Sequence, residues 1–553
     1  MKTARLLSLL ALAGACAPAL AGPPSLILTG QIGGDLTADG RTVFGAVFEP
    51  ATLKHIVYSY TPGVGITRSG ATQDNDVVRC SGDGSAVIWT AYDLENLAGL
   101  GTNRYTPHLW RPALGTVTNL GKPSWGSSCD AFATELFDLA AGGRYAVGGG
   151  YTNSTCGPYR AQRYDIQTNA WEILPVSTSP PPWNAQAALT RADAVSSDGS
   201  VVVGYDENYA DASQQRWRGA AVWVRNGSTW TQTILDRYAN KAYAVSADGS
   251  TIVGKLSAAT TQATFGIPDS LPVYWTRSGS SWTPHILSGD DTMQATAVSA
   301  DGHTIVGSGG DDPGGWIWHL GDETPTGITA YVASLGGSFP GIEFGSAVSP
   351  ILALSADGNT LLVSTQNSLD CALVWFPSAI LSLNGAPCEP ASVYLGPVSH
   401  FNVNGPVSEP GGMVFNCFAT GSWPMTFQWQ QETGPGTNVW VDLTDDNCSE
   451  YLPDYFNFHG VNTMQLRLGG LDGVWPGRYR CVVTNDCGSA TCNPIRAATC
   501  YADFDCNGFV NGDDFDSFVV EFEAGSAAAD IDGNGFTNGD DFDSFVAAFE
   551  SGC

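Results

Sequence analysis

The chain is short of charge, and of positive charge above all. Only 14% of its 553 residues are charged, and 24 Lys and Arg stand against 54 Asp and Glu, a formal net charge of -30. A field of that sign repels phosphate backbones, which argues against a nucleic-acid partner. Histidine is scarce, seven in all, and no pair has metal spacing; neither HExxH nor GxSxG occurs. The local signatures of zinc proteases and of α/β-hydrolases are therefore missing. So is any paired CxxC of the zinc type. No segment approaches about 18 unbroken apolar residues, so the mature chain is expected to lack a transmembrane segment.

What is plentiful points elsewhere. The 66 glycines and the 11% aromatic content suit an extracellular β-protein. Residues 1–21 read as a secretory signal: Lys2 and Arg5, an apolar stretch Leu6 to Ala15, then Ala19-Leu20-Ala21. This predicts an exported protein, extracellular or at the cell surface, in which most of the 14 cysteines form disulfides. About 530 mature residues are too many for one core and imply several domains.

One phrase organises the first 385 residues. It is cleanest at Ala244-Val245-Ser246-Ala247-Asp248-Gly249-Ser250-Thr251-Ile252-Val253-Gly254: a short apolar run, an Asp-Gly turn, a second apolar run. Copies have their turns at Asp39-Gly40, Asp83-Gly84, Asp198-Gly199, Asp301-Gly302 and Asp357-Gly358, and a degraded one at Gly142-Gly143. Seven copies spaced 44 to 59 residues apart mark a repeat array. Between them recurs a second strand pair, clearest around Trp223 and Trp275, looser at Tyr58, Trp110, Tyr164 with Trp171, Trp318 and Trp375. Two hairpins per unit make a four-stranded sheet, and seven such sheets predict a seven-bladed β-propeller over 22–385. The first Asp-Gly hairpin and the last element, Ala372-Leu373-Val374-Trp375, are expected to complete one blade and latch the ring, removing the open edges.

The Asp-Gly aspartates invite a catalytic reading. Asp-Gly is, however, the pair a tight hairpin needs, and seven equivalent copies cannot all be catalytic, so they are read as structural. The repeated tryptophans are read as blade core, with Trp125, Trp183 and Trp217 as off-repeat aromatics open to sugar stacking. These residues resemble the bacterial extracellular repeats of the HAF type, and more loosely the Ser-x-Asp-Gly turns of TolB-like propellers. They depart from the sialidase Asp-box, because Gly follows Asp directly.

After a Pro- and Gly-bearing joint the period stops. Cys417, Trp429 within Thr426-Phe427-Gln428-Trp429-Gln430, and Tyr479-Arg480-Cys481 resemble the pin of a bacterial immunoglobulin-like sandwich over 390–498. That resemblance implies a Cys417–Cys481 disulfide over Trp429; the usual Asp before the corner Tyr is here Trp475. Cys487 and Cys492 flank a hairpin turn and are spaced to staple it.

Residues 499–553 carry the most specific chemistry. Asp503, Asp505, Asn507, Asn511 and Asp514 supply side-chain oxygens at positions 1, 3, 5, 9 and 12 of a loop, with the Phe509 carbonyl at 7 and Gly508 at the bend. Asp530, Asp532, Asn534, Phe536, Asn538 and Asp541 repeat the set 27 residues later. This pattern predicts two Ca²⁺ ions, each wrapped by a twelve-residue loop. Each loop runs into an apolar helical face, as at Phe515, Phe518, Val519 and Phe522. The tail resembles a dockerin, in particular the dockerin-like tails ending in Gly-Cys (here Gly552-Cys553) on planctomycete-type surface proteins. The whole is expected to be mainly β, with a small α-helical dockerin-like domain at the end.

Two functions follow as expectations. The first is a non-enzymatic binding or display protein, with a glycan or protein ligand on the propeller and a cell-surface or cohesin-like protein holding the tail. The second is a secreted polysaccharide-active enzyme, hydrolase or lyase, whose two carboxylates can lie far apart in sequence.

Overall fold

The Asp-Gly phrase folds into one hydrogen-bonded unit that recurs almost unchanged around the molecule. In the computed structural model the Ser or Thr two residues before the Asp donates to Asp Oδ1 at 2.6–2.8 Å: Thr37 to Asp39, Ser81 to Asp83, Ser196 to Asp198, Ser246 to Asp248, Ser299 to Asp301 and Ser355 to Asp357. The same hydroxyl oxygen accepts the amide N–H five residues on, from Thr42, Ala86, Val201, Thr251, Thr304 and Thr360, at 2.9–3.0 Å. The degraded copy keeps the turn without these side chains, Gly143 N donating to Ala140 O at 2.7 Å.

The glycine after each Asp is needed twice over. Its φ is +68° to +77°, counting Gly143 of the degraded copy, a region that favours glycine. A Cβ there would also come within 2.2–3.1 Å of the preceding sheet, at Thr360, Thr37, Ser81, Tyr145, Val201, Thr251 and Thr304 in turn.

The structure describes residues 23–29, 32–49, 54–73, 78–93, 104–121, 123, 134–152, 158–176, 189–210, 216–236, 241–266, 269–339, 342–344, 351–367, 374–395, 399–401, 412–433, 437–444, 458–468, 477–497, 502, 504, 510–525, 529, 531 and 537–551. The signal segment 1–21 thus lies outside the described residues. No helix among them is long and apolar enough to cross a membrane.

Each turn joins the inner two strands of an antiparallel sheet. Sheet one is Ile32–Leu36, Val43–Glu49, Lys54–Thr61 and Gly65–Gln73; sheet two is Val78–Cys80, Val87–Asp93, Arg104–Arg111 and Thr116–Asn119. Sheet three comprises Thr134–Leu139, Tyr145–Tyr151, Tyr159–Asp165 and Ala170–Ile173; sheet four Thr190–Val195, Val201–Ala210, Arg216–Asn226 and Thr229–Ile234. Sheet five comprises Ala242–Val245, Thr251–Leu256, Leu271–Ser278 and Ser281–Ile286; sheet six Gln294–Val298, Thr304–Ser308, Trp316–His319 and Thr326–Gly327. Every neighbouring pair shares an apolar core, such as Phe44 with Trp89 between sheets one and two, or Val203 with Trp275 between four and five. The third-strand aromatics Tyr58, Trp110, Tyr164, Trp223, Trp275 and Trp318 are at most 5% exposed, which fits their reading as core. Of Trp375 and Trp217 only the backbone is described, and Trp125 and Trp183 lie outside the described residues.

The ring is closed by a strand other than the expected one. The last sheet contains Ile351–Leu354, Thr360–Asn367 and Val374–Ser382, and its fourth strand is the N-terminal Ser25–Leu28, with Ile27 opposite Ile380. The first Asp-Gly hairpin instead opens its own complete sheet. Leu26, Ile27 and Leu28 are 0–3% exposed, so three apolar residues secure the closure. The chain thus folds as a β-propeller whose sheets return on themselves: the closing sheet shares a core with sheet one through Leu362, Ile380 and Val43.

The next segment packs two further sheets about Trp429, Tyr479 and Phe415, each fully buried. One sheet comprises Trp440–Asp442, Thr426–Glu432, Gly477–Asn485, Gly488–Thr491 and Ile495–Ala497. In the other, strand Gly412–Ser422 is central, and its end pairs with Ser25–Leu28, so the closing sheet of the propeller runs on into this module. Asn485 Nδ2 donates to the carbonyls of Glu389 and Ser422 at the same joint.

The cysteine expectations need correcting. Cys417, Cys481 and Cys492 are buried thiols in the structure, so the Cys417–Cys481 bridge is not formed there. Cys492 follows the strand beside Cys481, bonding to it by its N–H, and brings a third sulfur up to Cys417, whose thiol is raised well above its ordinary range by Cys481 and by burial, with Cys492 opposing the rise. Cys487 does not staple its own turn but bonds Cys388, 99 residues away, with Cα atoms 6.0 Å apart, inside the usual disulfide range.

Gly249→Ala is expected to destabilise the chain by about 1–2 kcal/mol for the left-handed backbone alone, with overlap on Val201, 2.5 Å away, adding to it. Ser246→Ala should cost about 1–3 kcal/mol by stranding the Thr251 amide. Denaturant midpoints of the two variants check both; unchanged midpoints refute the turn analysis.

Candidate functional site

Two regions gather chemistry. In the C-terminal tail, helices Gly512–Glu523 and Gly539–Ser551 stack Phe518 on Phe545, with ring centroids 4.0 Å apart. Around them cluster Phe504, Phe515, Phe522, Phe542 and Phe549. Of the twelve residues expected to hold calcium, Asn511, Asp514, Asn538 and Asp541 are described; Asp503, Asp505, Asn507, Phe509, Asp530, Asp532, Asn534 and Phe536 lie outside the described residues.

Those four form a matched pair. Asp514 Oδ2 accepts from Asn511 N, and Asp541 Oδ2 from Asn538 N, each at 2.8 Å. Asn511 Oδ1 accepts from Asp513 N at 2.7 Å, and Asn538 Oδ1 from Asp540 N at 2.8 Å. These are helix-capping arrangements, with acidic residues over the positive helix end. Both position-12 carboxylates are fully buried. Asp541 Oδ1 also takes the Ile531 amide at 2.7 Å, which draws the start of the second loop onto its end. The position-9 oxygens are partly spent on the cap, which fits a ligand that acts through water. The carboxylate and amide oxygens of these four residues are donor types that a hard cation such as Ca²⁺ takes.

The second region was not foreseen. It lies on the inner strands of the propeller, at the end away from the Asp-Gly turns. Seven residues before the turn position stand Glu135, Arg191, Lys241 and Gln294 on sheets three to six; two residues further on stand Phe137, Asp193, Tyr243 and Thr296. The intervening Leu136, Ala192, Ala242 and Ala295 are buried in the cores between sheets, so these two rows share the opposite face.

Their side chains link successive sheets. Within sheet three, Tyr159 OH donates to Glu135 Oε2 at 3.0 Å. Arg191 ion-pairs with Asp193 beneath the Phe137 ring, 4.3 Å from its centroid. Lys241 Nζ lies 3.5 Å from Asp193 Oδ1 and 4.7 Å from the Tyr243 ring. Tyr243 OH donates to Gln294 Oε1 at 2.9 Å. Counting back from each turn would have exposed these rows, because charge there breaks an otherwise apolar or small pattern.

Nearer the turns, three consecutive sheets carry Asp35, Arg79 and Asp138 where the others carry Ala194, Ala244, Ala297 and Ala353. Asp35 Oδ2 accepts from Cys80 N and Asp138 Oδ2 from Val195 N, each at 2.8 Å, while Arg79 Nη1 donates to Gly34 O at 2.9 Å. Each group thus fastens its sheet to a neighbour. Burial raises the Asp138 pKa to about 7 and raises that of Asp35 as well, with Arg79 opposing the rise in both.

No family model matches this sequence, and no curated protein matches it either. Among solved structures it is similar to TolB from Acinetobacter baumannii, with 12% identity over 62% of this chain and 63% of that one, at a TM-score of 0.31. It is similar to the tricorn protease, with 10% identity over 66% and 36% of the two chains and a TM-score of 0.39. A third likeness is to the β-propeller domain of the Trilobed protease from Pyrococcus furiosus, with 9% identity over 62% and 92% and a TM-score of 0.37. The chain spans less than two thirds of the length of the first two.

Two opposed pH effects follow from the aspartates. Hydrogen bonds from Ser and from the following amide lower the pKa of turn residues such as Asp83 and Asp301. Their stabilisation is present above the ordinary carboxylate value and is lost as pH falls through the lowered one. Asp138 is raised, so its folded form favours the proton and stability falls as pH rises from about 4 to about 7. Thermal melts should therefore peak under mildly acid conditions. Asp138→Asn should remove most of the drop between pH 5 and pH 8, by at most about 3 kcal/mol; a variant with the parent's profile refutes the assignment.

Proposed function

We propose that this chain is an exported, non-enzymatic binding or display protein, held in place by a calcium-ordered tail. In this reading residues 22–385 form a seven-bladed propeller that presents the ligand surface. An immunoglobulin-like module, 390–498, carries it rigidly, and a dockerin-like domain, 499–553, docks onto a cohesin-like or other cell-surface protein. HAF-type repeats and a Gly-Cys dockerin-like ending describe its two ends.

The observation that carries the proposal is the duplicated cap: Asn511 with Asp514 and Asn538 with Asp541 adopt the same bonds at the start of both tail helices. Both carboxylates are buried at the starts of the two helices. Residues 503–550 hold thirteen carboxylates and no Lys or Arg, so metal binding and ordering of the tail should be coupled. When bound, Ca²⁺ supplies the positive charge that the segment lacks. The two buried strand contacts at Ser25–Leu28 support a rigid propeller–module unit. Asp35 and Asp138 support display over turnover, since each spends an oxygen on a neighbouring backbone amide.

Calorimetric titration of the full chain with Ca²⁺ should report two ions. Asp514→Asn and Asp541→Asn should each abolish one site or weaken it by about tenfold or more, and a chelator should make the tail sensitive to protease. No heat of binding, or stoichiometry unaffected by both variants, rejects the tail reading.

A further inference from the structure

Resting on the reading of the propeller as a binding element, but not on the calcium tail, we infer that the inner-strand row Glu135, Phe137, Arg191, Asp193, Lys241 and Tyr243 binds a neutral carbohydrate through its hydroxyl groups. Asp193 is the pivot. Its side chain is only 7% exposed, and Oδ1 takes the Arg191 guanidinium. Oδ2 has no hydrogen-bond partner among the described residues, and the buried Arg191 Nε has none either. Buried polar atoms left unpaired cost about 1–3 kcal/mol each. Here an orphan acceptor and an orphan donor belong to one ion pair.

A hydroxyl group answers both at once, because it donates one hydrogen bond and accepts others. A carboxylate would serve only Arg191, and an ammonium only Asp193. A peptide offers donor and acceptor too, but its N–H and C=O point in opposite directions across the planar amide, whereas Arg191 and Asp193 lie side by side. Charge points the same way. Glu135 and Asp193 cancel Arg191 and Lys241, so the row carries no net charge to select an ionic ligand. Phe137 and Tyr205, with centroids 4.3 and 5.1 Å from the guanidinium, and Tyr243 beneath Lys241 add flat apolar surface, as small-molecule sites require around a few fixed polar groups. The Lys241 contact to Asp193, at 3.5 Å, is at the outer limit of a hydrogen bond. Its flexible stem can swing aside as a hydroxyl arrives.

The full-length protein should be applied to an array of neutral oligosaccharides, of uronate- and sulfate-bearing glycans, and of peptides, alongside Asp193→Asn and Arg191→Lys. Arg191→Lys keeps the charge and removes Nε. The expected result is binding to neutral glycans, weakened about tenfold or more in both variants, with melting temperatures close to the parent's. Absence of neutral-glycan binding, binding only to acidic glycans or peptides, or neutral binding untouched by the variants would each overturn the inference. Should Asp193→Asn fail to fold, Arg191→Lys decides the matter. Calcium stoichiometry on the same samples separates failure of this site from failure of the tail.

Discussion

A circuit of main-chain hydrogen bonds from turn to turn is the constraint on which the propeller depends. The residue just before each turn's Asp-Gly donates its N–H to the carbonyl of its counterpart in the next sheet: Ala38 to Gly82, Gly82 to Ala141, Ser197 to Ala247, Ala247 to Ala300, Ala300 to Ala356, and Ala356 back to Ala38, at 2.8–3.1 Å. Between Ala141 and Ser197 the Ser197 carbonyl comes close to Gly142, within 3.0 Å of where its Cβ would be. Such a circuit tolerates only small residues, and only Ala, Gly and Ser occur. It also fixes the height of every turn, which is the task of the Ser or Thr and the Asp. Main-chain N–H and C=O groups are obligatory hydrogen-bonding groups, and pairing these with the neighbouring sheet makes each turn a bond between sheets. The degraded turn survives because two glycines supply the backbone geometry that the side chains otherwise enforce.

The same residue type is therefore asked to do opposite things in one ring. Turn aspartates such as Asp83 and Asp301 sit at the rim, accept several hydrogen bonds and hold their charge easily. Asp35 and Asp138 lie in the wall, where burial opposes ionisation, and one guanidinium, Arg79, serves both. A chain with so few cations cannot pair most of its aspartates with Lys and Arg, so backbone amides and hydroxyls stabilise many of the carboxylates instead. That substitution explains how a protein of this net charge packs a tight β core: the acids are neutralised locally by dipoles, and little net charge enters the interior.

Features that repeat were legible from sequence. The Asp-Gly turns, their structural role and the aromatic third strands announced themselves because each occurs many times and each copy corroborates the others. Single features did not. Ser25–Leu28 closes the ring, yet four residues ahead of the first repeat carry no period that marks them as a strand. The partner of Cys487 is Cys388, which no spacing rule could single out, since disulfide connectivity depends on which strands meet. Cys492 escaped for a similar reason, because its place beside Cys481 follows from strand register and not from distance along the chain. In the tail, duplication again made the pattern readable, and the helix caps fall where a twelve-residue loop would end.

The inner-strand row combines both lessons. It was invisible while the copies were compared for what they share, since it consists of what they do not share. A repeat array uses its common positions to close the ring, and those positions are not free to vary without breaking it. Positions seven and five residues before each turn carry no such duty, for their backbones are held by the strand whatever the side chain. On sheets three to six they have become Glu, Arg, Lys and Gln with Phe, Asp, Tyr and Thr, and several of these side chains touch across sheet boundaries. Stabilising a strand start does not require charge, and a buried carboxylate with an unused oxygen works against stability. An arrangement that costs the fold and lies at one end of the axis is best explained by a guest.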